Sequence, residues 1–239
     1  MIQLRASGFA NSYSRRQTEA LREEFRETHA VKLPSFLDPG MLRFFRSRIE
    51  KTPFVSGEIS PGYSFPFIRD FLSGPLSRQL VFLCEDPVLF GFVSRLAETP
   101  VTWISGGGVF RTLSKKEYSM HWHDDGPWPE GFHVATAGVS LSCALHQAPF
   151  QGGRFQIRVK NSGRLSKEIA NTTPGDAILL RTSPRLEHTN TPLESPGEKV
   201  VFVCFMRCNL AVGPSCSFPP AGGRTPLPMS APGAPSFRA

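Results

Sequence analysis

A chain of 239 residues, 40% hydrophobic and 20% charged, can bury a substantial core, so one soluble domain of about 200 residues plus a tail is expected. Its apolar runs are only strand-length, and the N-terminal MIQLRASGFANSYSRR lacks the apolar core of a secretory signal, so neither a membrane span nor secretion is expected. The net charge of +7 comes from dispersed basic residues, without the aromatic-interleaved basic run of a nucleic-acid module. Five cysteines (Cys84, Cys143, Cys204, Cys208 and Cys216) contain no CxxC pair. They argue against a disulfide framework or zinc ribbon and for a reducing, cytoplasmic setting, with Cys143 and Cys204 as small core residues.

In chain order, a surface lead-in is followed by residues 16–29, where Leu21 and Phe25 stand four apart among Glu and Arg as in an amphipathic helix. Lys32-Leu33-Pro34 reads as a short strand. Asp38-Pro39 supplies an N-cap and a proline at the first helical position, with Met41, Leu42, Phe45 and Ile49 as the buried stripe. Pro53, Gly57, Pro61, Gly62 and Pro66 make residues 51–66 a loop over the site. Asp86-Pro87 repeats the cap, and Val88, Phe92 and Leu96 continue as a helix.

The second part changes character. Residues 101–105, 109–113, 118–123, 133–145, 154–159, 177–180 and 199–206 read as strands, separated by turns such as Gln151-Gly152-Gly153, Pro174-Gly175-Asp176 and Pro196-Gly197. Many short strands with turns between them imply a sandwich or barrel. From Gly213 onward, seven prolines among Gly, Ser and Ala mark a disordered tail. The expected organisation is therefore residues 1–28 as N-terminal helix and lead-in, 29–212 as the domain, and 213–239 as the tail.

The chain is organised around His121-Trp122-His123-Asp124-Asp125-Gly126. Side chains alternate along a strand, so His121, His123 and Asp125 point one way and Trp122 and Asp124 the other. Two imidazoles and a carboxylate on one face suggest a metal site; a solvated polar strand end is the plain alternative. A further ligand is available in His188, 65 positions after His123 (188 − 123). His123, Asp125 and His188 would make a two-histidine, one-carboxylate set, which leaves positions open on non-haem Fe(II) for a cosubstrate and O2.

At these residues the chain resembles the 2-oxoglutarate- and Fe(II)-dependent dioxygenase superfamily, in the style of its prolyl-hydroxylase-like branch. His123-Asp124-Asp125 resembles the HxD motif, and Gln151-Gly152-Gly153-Arg154-Phe155 resembles the GG turn before a strand. Pro174-Gly175-Asp176-Ala177-Ile178-Leu179 is similar to the strand ahead of the distal histidine, which His188 would be. Gly197-Glu198-Lys199-Val200-Val201 is similar to the closing basic segment, and residues 29–37 to the opening stretch.

The resemblance implies a fold of class α+β, mainly β: a double-stranded β-helix (jelly roll, cupin-like) with N-terminal helices packed on one side. It further implies Fe(II) held by His123, Asp125 and His188 as the catalytic site. The cosubstrate 2-oxoglutarate would be bound at its far carboxylate by Lys199, with Arg111 as a second contact. O2 is the oxidant and ascorbate a stimulant. The implied reaction hydroxylates or oxidises an unactivated C–H bond and releases succinate and CO2. Asp125 fills the position that related halogenases vacate for chloride, so hydroxylation rather than chlorination is implied.

Other readings stay open at this point. Tyr118-Ser119-Met120-His121-Trp122-His123 also fits the branch's Y-x-x-H-x-D, which would give a three-histidine site of His121, His123 and His188. His121-x-His123-x-Asp125 matches the HxHxD of metal-dependent hydrolases, and a non-catalytic jelly-roll binding module is the reading without chemistry. In the favoured register His121 lies beside the substrate, together with Trp128 from the 126–133 loop, which also carries Phe132. A small-molecule or amino-acid-like substrate is expected. The sequence does not name it, nor the oligomeric state, and His133 and His146 read as ordinary surface or core histidines.

Overall fold

The computed structural model describes residues 1–60, 63–68, 75–113, 121–125, 138–170, 173–194 and 197–208, with backbone alone for 55–60, 63–68, 77, 113 and 208. Residues Met1–Asn209 form one compact unit. The tail, the 126–133 loop with Trp128 and Phe132, and His133 lie outside the described residues. No helix among the described residues is long and apolar enough to cross a membrane.

Helix positions follow the caps read from the sequence. Helix α1 (Arg15–Thr28) starts at a reciprocal capping box, Ser14 with Gln17, and ends at His29 in the left-handed conformation. Asp38 caps α2 (Pro39–Ile49) by accepting from Met41 N at 2.7 Å, and Asp86 caps α4 (Pro87–Ala97) by accepting from Val88 N at 2.7 Å. Each carries proline in its first turn, where no N–H is needed. Helix α3 (Pro75–Cys84) lies between them in the chain.

The strands form two layers. A seven-stranded sheet has the order β3-β10-β7-β12-β6-β5-β4, with β3 Ala30–Leu33, β10 Ala177–Thr182, β7 Gly138–Ala144, β12 Glu198–Cys208, β6 Val101–Leu113, β5 Tyr63–Ile68 and β4 Phe54–Ser60. A three-stranded sheet has the order β11-β8-β9 (Leu186–Asn190, Phe155–Val159, Leu165–Ile169). His123 pairs with His188 of β11 in a single antiparallel bridge, so residues 121–125 lie along the edge of this smaller sheet. All named pairings are antiparallel.

Strand alternation divides the apolar side chains between two cores. From the large sheet Leu141, Cys143, Leu179, Val200, Phe202 and Cys204 pack against Phe25, Phe45, Leu80, Leu89 and Phe92 of the helices. The opposite faces enclose Phe155, Ile157, Ile169, Ile178, Leu180 and Leu186 between the two sheets. The result is a double-stranded β-helix with helices on one side, as expected. Cys84, Cys143 and Cys204 are buried free thiols.

Several expectations are corrected. Within residues 51–66, expected as a loop, β4 and β5 form an antiparallel hairpin at the sheet's end. Pro66 sits inside β5, and β5 meets β6 at the pair Phe67↔Phe110; proline marks a missing ladder donor here, not the end of a strand. The two strands expected at 101–105 and 109–113 are one. Gly106-Gly107-Gly108 keeps β6 in contact with β12, where a Cβ on Gly107 would stand 2.7 Å from Val203 O. The N-terminal lead-in is itself a hairpin, β1 (Ile2–Arg5) and β2 (Gly8–Asn11), whose Ile2 and Leu4 lie in the main core.

Candidate metal centre

On the five residues 121–125, alternation sends His123 and Asp125 towards the space between the sheets and Trp122 and Asp124 to the outer surface. Two backbone hydrogen bonds fix the level of His123 against β11: His123 N donates to His188 O at 3.1 Å, and His188 N donates to His123 O at 2.8 Å. The paired residues are thus the two histidines themselves, and their rings lie 4.4 Å apart between centroids.

Among the described residues, His123, Asp125 and His188 form a group whose ligand atoms all lie within 4.8 Å of one another. Asp125 Oδ1 is 3.7 Å from His188 Nε2. The other carboxylate oxygen, Oδ2, accepts from Ser140 Oγ of β7 at 3.2 Å, so one oxygen is anchored and the other is presented to the histidines. His123 Nδ1 meets His121 O at 2.9 Å. A carbonyl only accepts, so Nδ1 carries the proton and Nε2 keeps its lone pair.

Burial is the largest influence on His188 and lowers its pKa; the Asp125 charge opposes it, His123 adds to it, and Asp124 opposes it. The neutral imidazole, which is the ligating form, is therefore favoured. Two imidazole nitrogens and one carboxylate at this spacing match the donor set of an open non-haem Fe(II) site. Phe155 lies 5.7 Å from the His188 ring and walls the site with apolar surface.

A second charged group faces the same interior. Lys199, on β12, is 8% exposed, and its ammonium donates to Asn190 Oδ1 at 2.5 Å and to Gly153 O at 3.2 Å. Both acceptors are neutral, and among the described residues no carboxylate pairs with it. Burial pushes its pKa down to about 8. Asn190 is two residues beyond His188 on the same face of β11, a rise of about 6.8 Å. The Lys199 ammonium thus reaches from the large sheet across the interior to the strand that carries His188.

The Gly-Gly turn closes tightly on the segment after β11. Gly152 and Gly153 have φ of 74° and 58°, and a Cβ on Gly152 would stand 2.2 Å from Pro192 O. Glycine alone permits both the left-handed backbone and this close approach.

Arg111, expected beside the cosubstrate, occupies the other face of the sheet. It is opposite Val200 in the register, is ion-paired with Glu198, and lies over the Phe54 ring at 5.3 Å. The cause is parity: Lys199 pairs with Thr112, so odd-numbered Arg111 projects away from the barrel interior. His121 is exposed and stands outside the three-donor group, contributing its carbonyl to His123. His146 is buried, stacked edge-on against Phe150.

Ser140, Asn190 and Gly153 O were not anticipated. Ser140 and Ser142 alternate within the apolar run Gly138-Val139-Ser140-Leu141-Ser142-Cys143, a period-two polar signal that marks the barrel-facing side.

No protein-family model and no curated protein matches this sequence; solved structures match the fold. An oxidoreductase of the 2OG-Fe(II) oxygenase family from Burkholderia pseudomallei shares 18% identity over 83% of this chain and 92% of its own, with a TM-score of 0.59. The non-haem epimerase SnoN, solved with Fe3+, alpha-ketoglutarate and nogalamycin RO, shares 16% over 82% and 85%, with a TM-score of 0.59. A prolyl hydroxylase from Trichoplax adhaerens, solved with a hypoxia-inducible-factor peptide, shares 13% over 81% and 90%, with a TM-score of 0.55. The chain therefore has the fold of the 2OG-Fe(II) oxygenases.

Proposed function

We propose that this protein is a 2-oxoglutarate-dependent Fe(II) oxygenase (EC 1.14.11.-) acting on a small-molecule or amino-acid-like substrate. The observation that carries this reading is the convergence of His123, Asp125 and His188 on the barrel interior, with the buried Lys199 ammonium reaching from the facing sheet to Asn190, two residues beyond His188. His123 Nε2, His188 and Asp125 Oδ1 would hold the metal. When bound, Fe(II) with 2-oxoglutarate and O2 supplies the oxidation: one oxygen atom goes to succinate as CO2 leaves, and the other enters the substrate C–H bond.

The chain's own residues bind, orient and exclude. Ser140 holds Asp125 by one oxygen, and the His121 carbonyl keeps the His123 proton on Nδ1. Lys199, whose partners among the described residues are neutral, would take the far carboxylate of the cosubstrate, which turns an unfavourable buried cation into an ion pair. Phe155, Ile157 and Leu186 exclude water from the interior. A small-molecule substrate is favoured by the likeness in fold to an enzyme solved with nogalamycin RO. His121, exposed beside the donors, and Trp128 are the substrate contacts we propose.

The test is succinate formation from 2-oxoglutarate by the Fe(II)-loaded protein, screened over a metabolite library with peptidyl-proline substrates alongside. We expect Fe(II)-dependent succinate that rises with one class of small molecule. Turnover with peptides alone would overturn the substrate class, and no Fe(II)-dependent succinate under any condition would overturn the activity.

A further inference from the structure

The ligand stretch 121–125 is gripped from its outer face by two cations that do not belong to its neighbouring strand. The Arg158 guanidinium lies 3.9 Å from the centroid of the Trp122 ring, and its Nε donates to Glu187 Oε1 at 2.6 Å. Lys160 Nζ donates to Asp124 Oδ2 at 3.0 Å. Arg158 belongs to β8 and Lys160 follows it directly. β11 lies between β8 and the ligand stretch, so each side chain reaches across about 9.6 Å, two strand spacings.

We propose that Arg158 and Lys160 are positioning residues for the metal ligands, acting through Trp122 and Asp124; this rests on the metal reading of His123, Asp125 and His188. The His123↔His188 pair fixes the height of the stretch but leaves its roll about the strand axis to other contacts. Trp122 and Asp124 flank His123 and alternate with it and with Asp125. Drawing both against the outer surface of the small sheet turns His123 and Asp125 into the barrel. Glu187 is 12% exposed at its side chain and Arg158 26%, so the Arg158 plane is held from below by a largely buried carboxylate while it stacks on Trp122 above. Glu187 also adjoins His188 in sequence, so one network touches the strand positions beside all three donors.

Not every ion pair on this sheet is placed in this way. Arg154, just before β8, pairs with Glu168 of β9 at 3.3 Å, away from the ligand stretch, and serves as the control for general sheet stability. Contacts that orient metal ligands from outside commonly change metal affinity by about 10- to 100-fold, whereas half-exposed ion pairs contribute little to global stability. The two effects are therefore separable.

The experiment titrates the metal-free full chain with Co(II), read by calorimetry and by the Co(II) visible bands, alongside thermal melting of each metal-free variant. Trp122→Ala and Lys160→Met should each weaken Co(II) binding at least tenfold, while Trp122→Phe and Lys160→Arg recover most of it. Arg154→Ala should stay within twofold of wild type. Lys160 is 45% exposed, so its variants report even if Trp122→Ala does not fold. Wild-type binding with Lys160→Met within twofold of it would overturn the positioning role, as would equal weakening by Arg154→Ala. A wild type that takes up no Co(II) would overturn the metal reading itself.

Discussion

Asp125 shares its two oxygens between tasks, one accepting from Ser140 and one facing His188. Removing the carboxylate leaves two imidazoles, so Asp125→Ala should lose stoichiometric Co(II) binding and all succinate formation. His121→Ala should keep metal binding; the reverse pattern in the same titration would restore the three-histidine register. Lys199 presents the clearest electrostatic consequence. A desolvated, charge-assisted hydrogen bond contributes about 1.5–3 kcal/mol, or about 10- to 150-fold in affinity. Lys199→Ala should accordingly raise the KM for 2-oxoglutarate at least tenfold and leave Co(II) affinity unchanged.

The sign of the Lys199 pH effect follows from its pKa of about 8 in the fold against 10.5 outside it. Between these values the unfolded chain binds the extra proton, so stability of the cosubstrate-free protein rises with pH across this window. Below about 8 the ammonium is charged and the destabilisation is complete. Cosubstrate binding has the opposite dependence, because a carboxylate needs the charged form. Affinity for 2-oxoglutarate should be highest below pH 8 and fall by up to tenfold per pH step above it. Calorimetry should show this fall in wild type and a flat profile in Lys199→Arg, whose guanidinium stays charged.

At the scale of elements, the N-terminal hairpin is part of the core. Leu4 is 2% exposed, and its backbone is tied to Phe36 O and Asp38 N, so β1 seats the turn that begins α2. Leu4→Ala should cost about 2–5 kcal/mol in urea unfolding, while an exposed change such as Arg5→Ala should be near neutral. Lys32 and Asp176 do similar work beside it. Their ion pair at 2.8 Å, with Ser35 N donating to Asp176 Oδ1 at 2.8 Å, pins β3 beside β10. The Pro174-Gly175-Asp176 turn is thus a fastening as well as a reversal.

Across the whole molecule, the large sheet separates a helix-covered core from an interior that holds charge. Every polar group of the site comes from the interior side, and parity along β6 and β12 decides membership: Lys199 is in and Arg111 is out. Beyond Val212 the only large apolar residues are Phe218, Leu227, Met229 and Phe237, and from this composition alone we propose that the segment adds nothing to stability or turnover. Truncation after Val212 should therefore leave Tm and succinate formation unchanged.

What the sequence by itself determined was local and periodic. Caps at Asp38 and Asp86 placed helices because the orphan N–H groups of a first turn need a nearby acceptor. Alternation over 121–125 paired His123 with Asp125 for the same reason that it excluded Trp122. β9 and β11 were not foreseen, because Leu165–Ile169 and Leu186–Asn190 are short and mostly polar, and their strand state comes from ladder partners far along the chain. Only the tertiary structure could decide that Ser140 meets Asp125, that Asn190 meets Lys199, and that Arg158 lies on Trp122. These contacts join residues on different strands, and their register is set by how two cores close around one barrel.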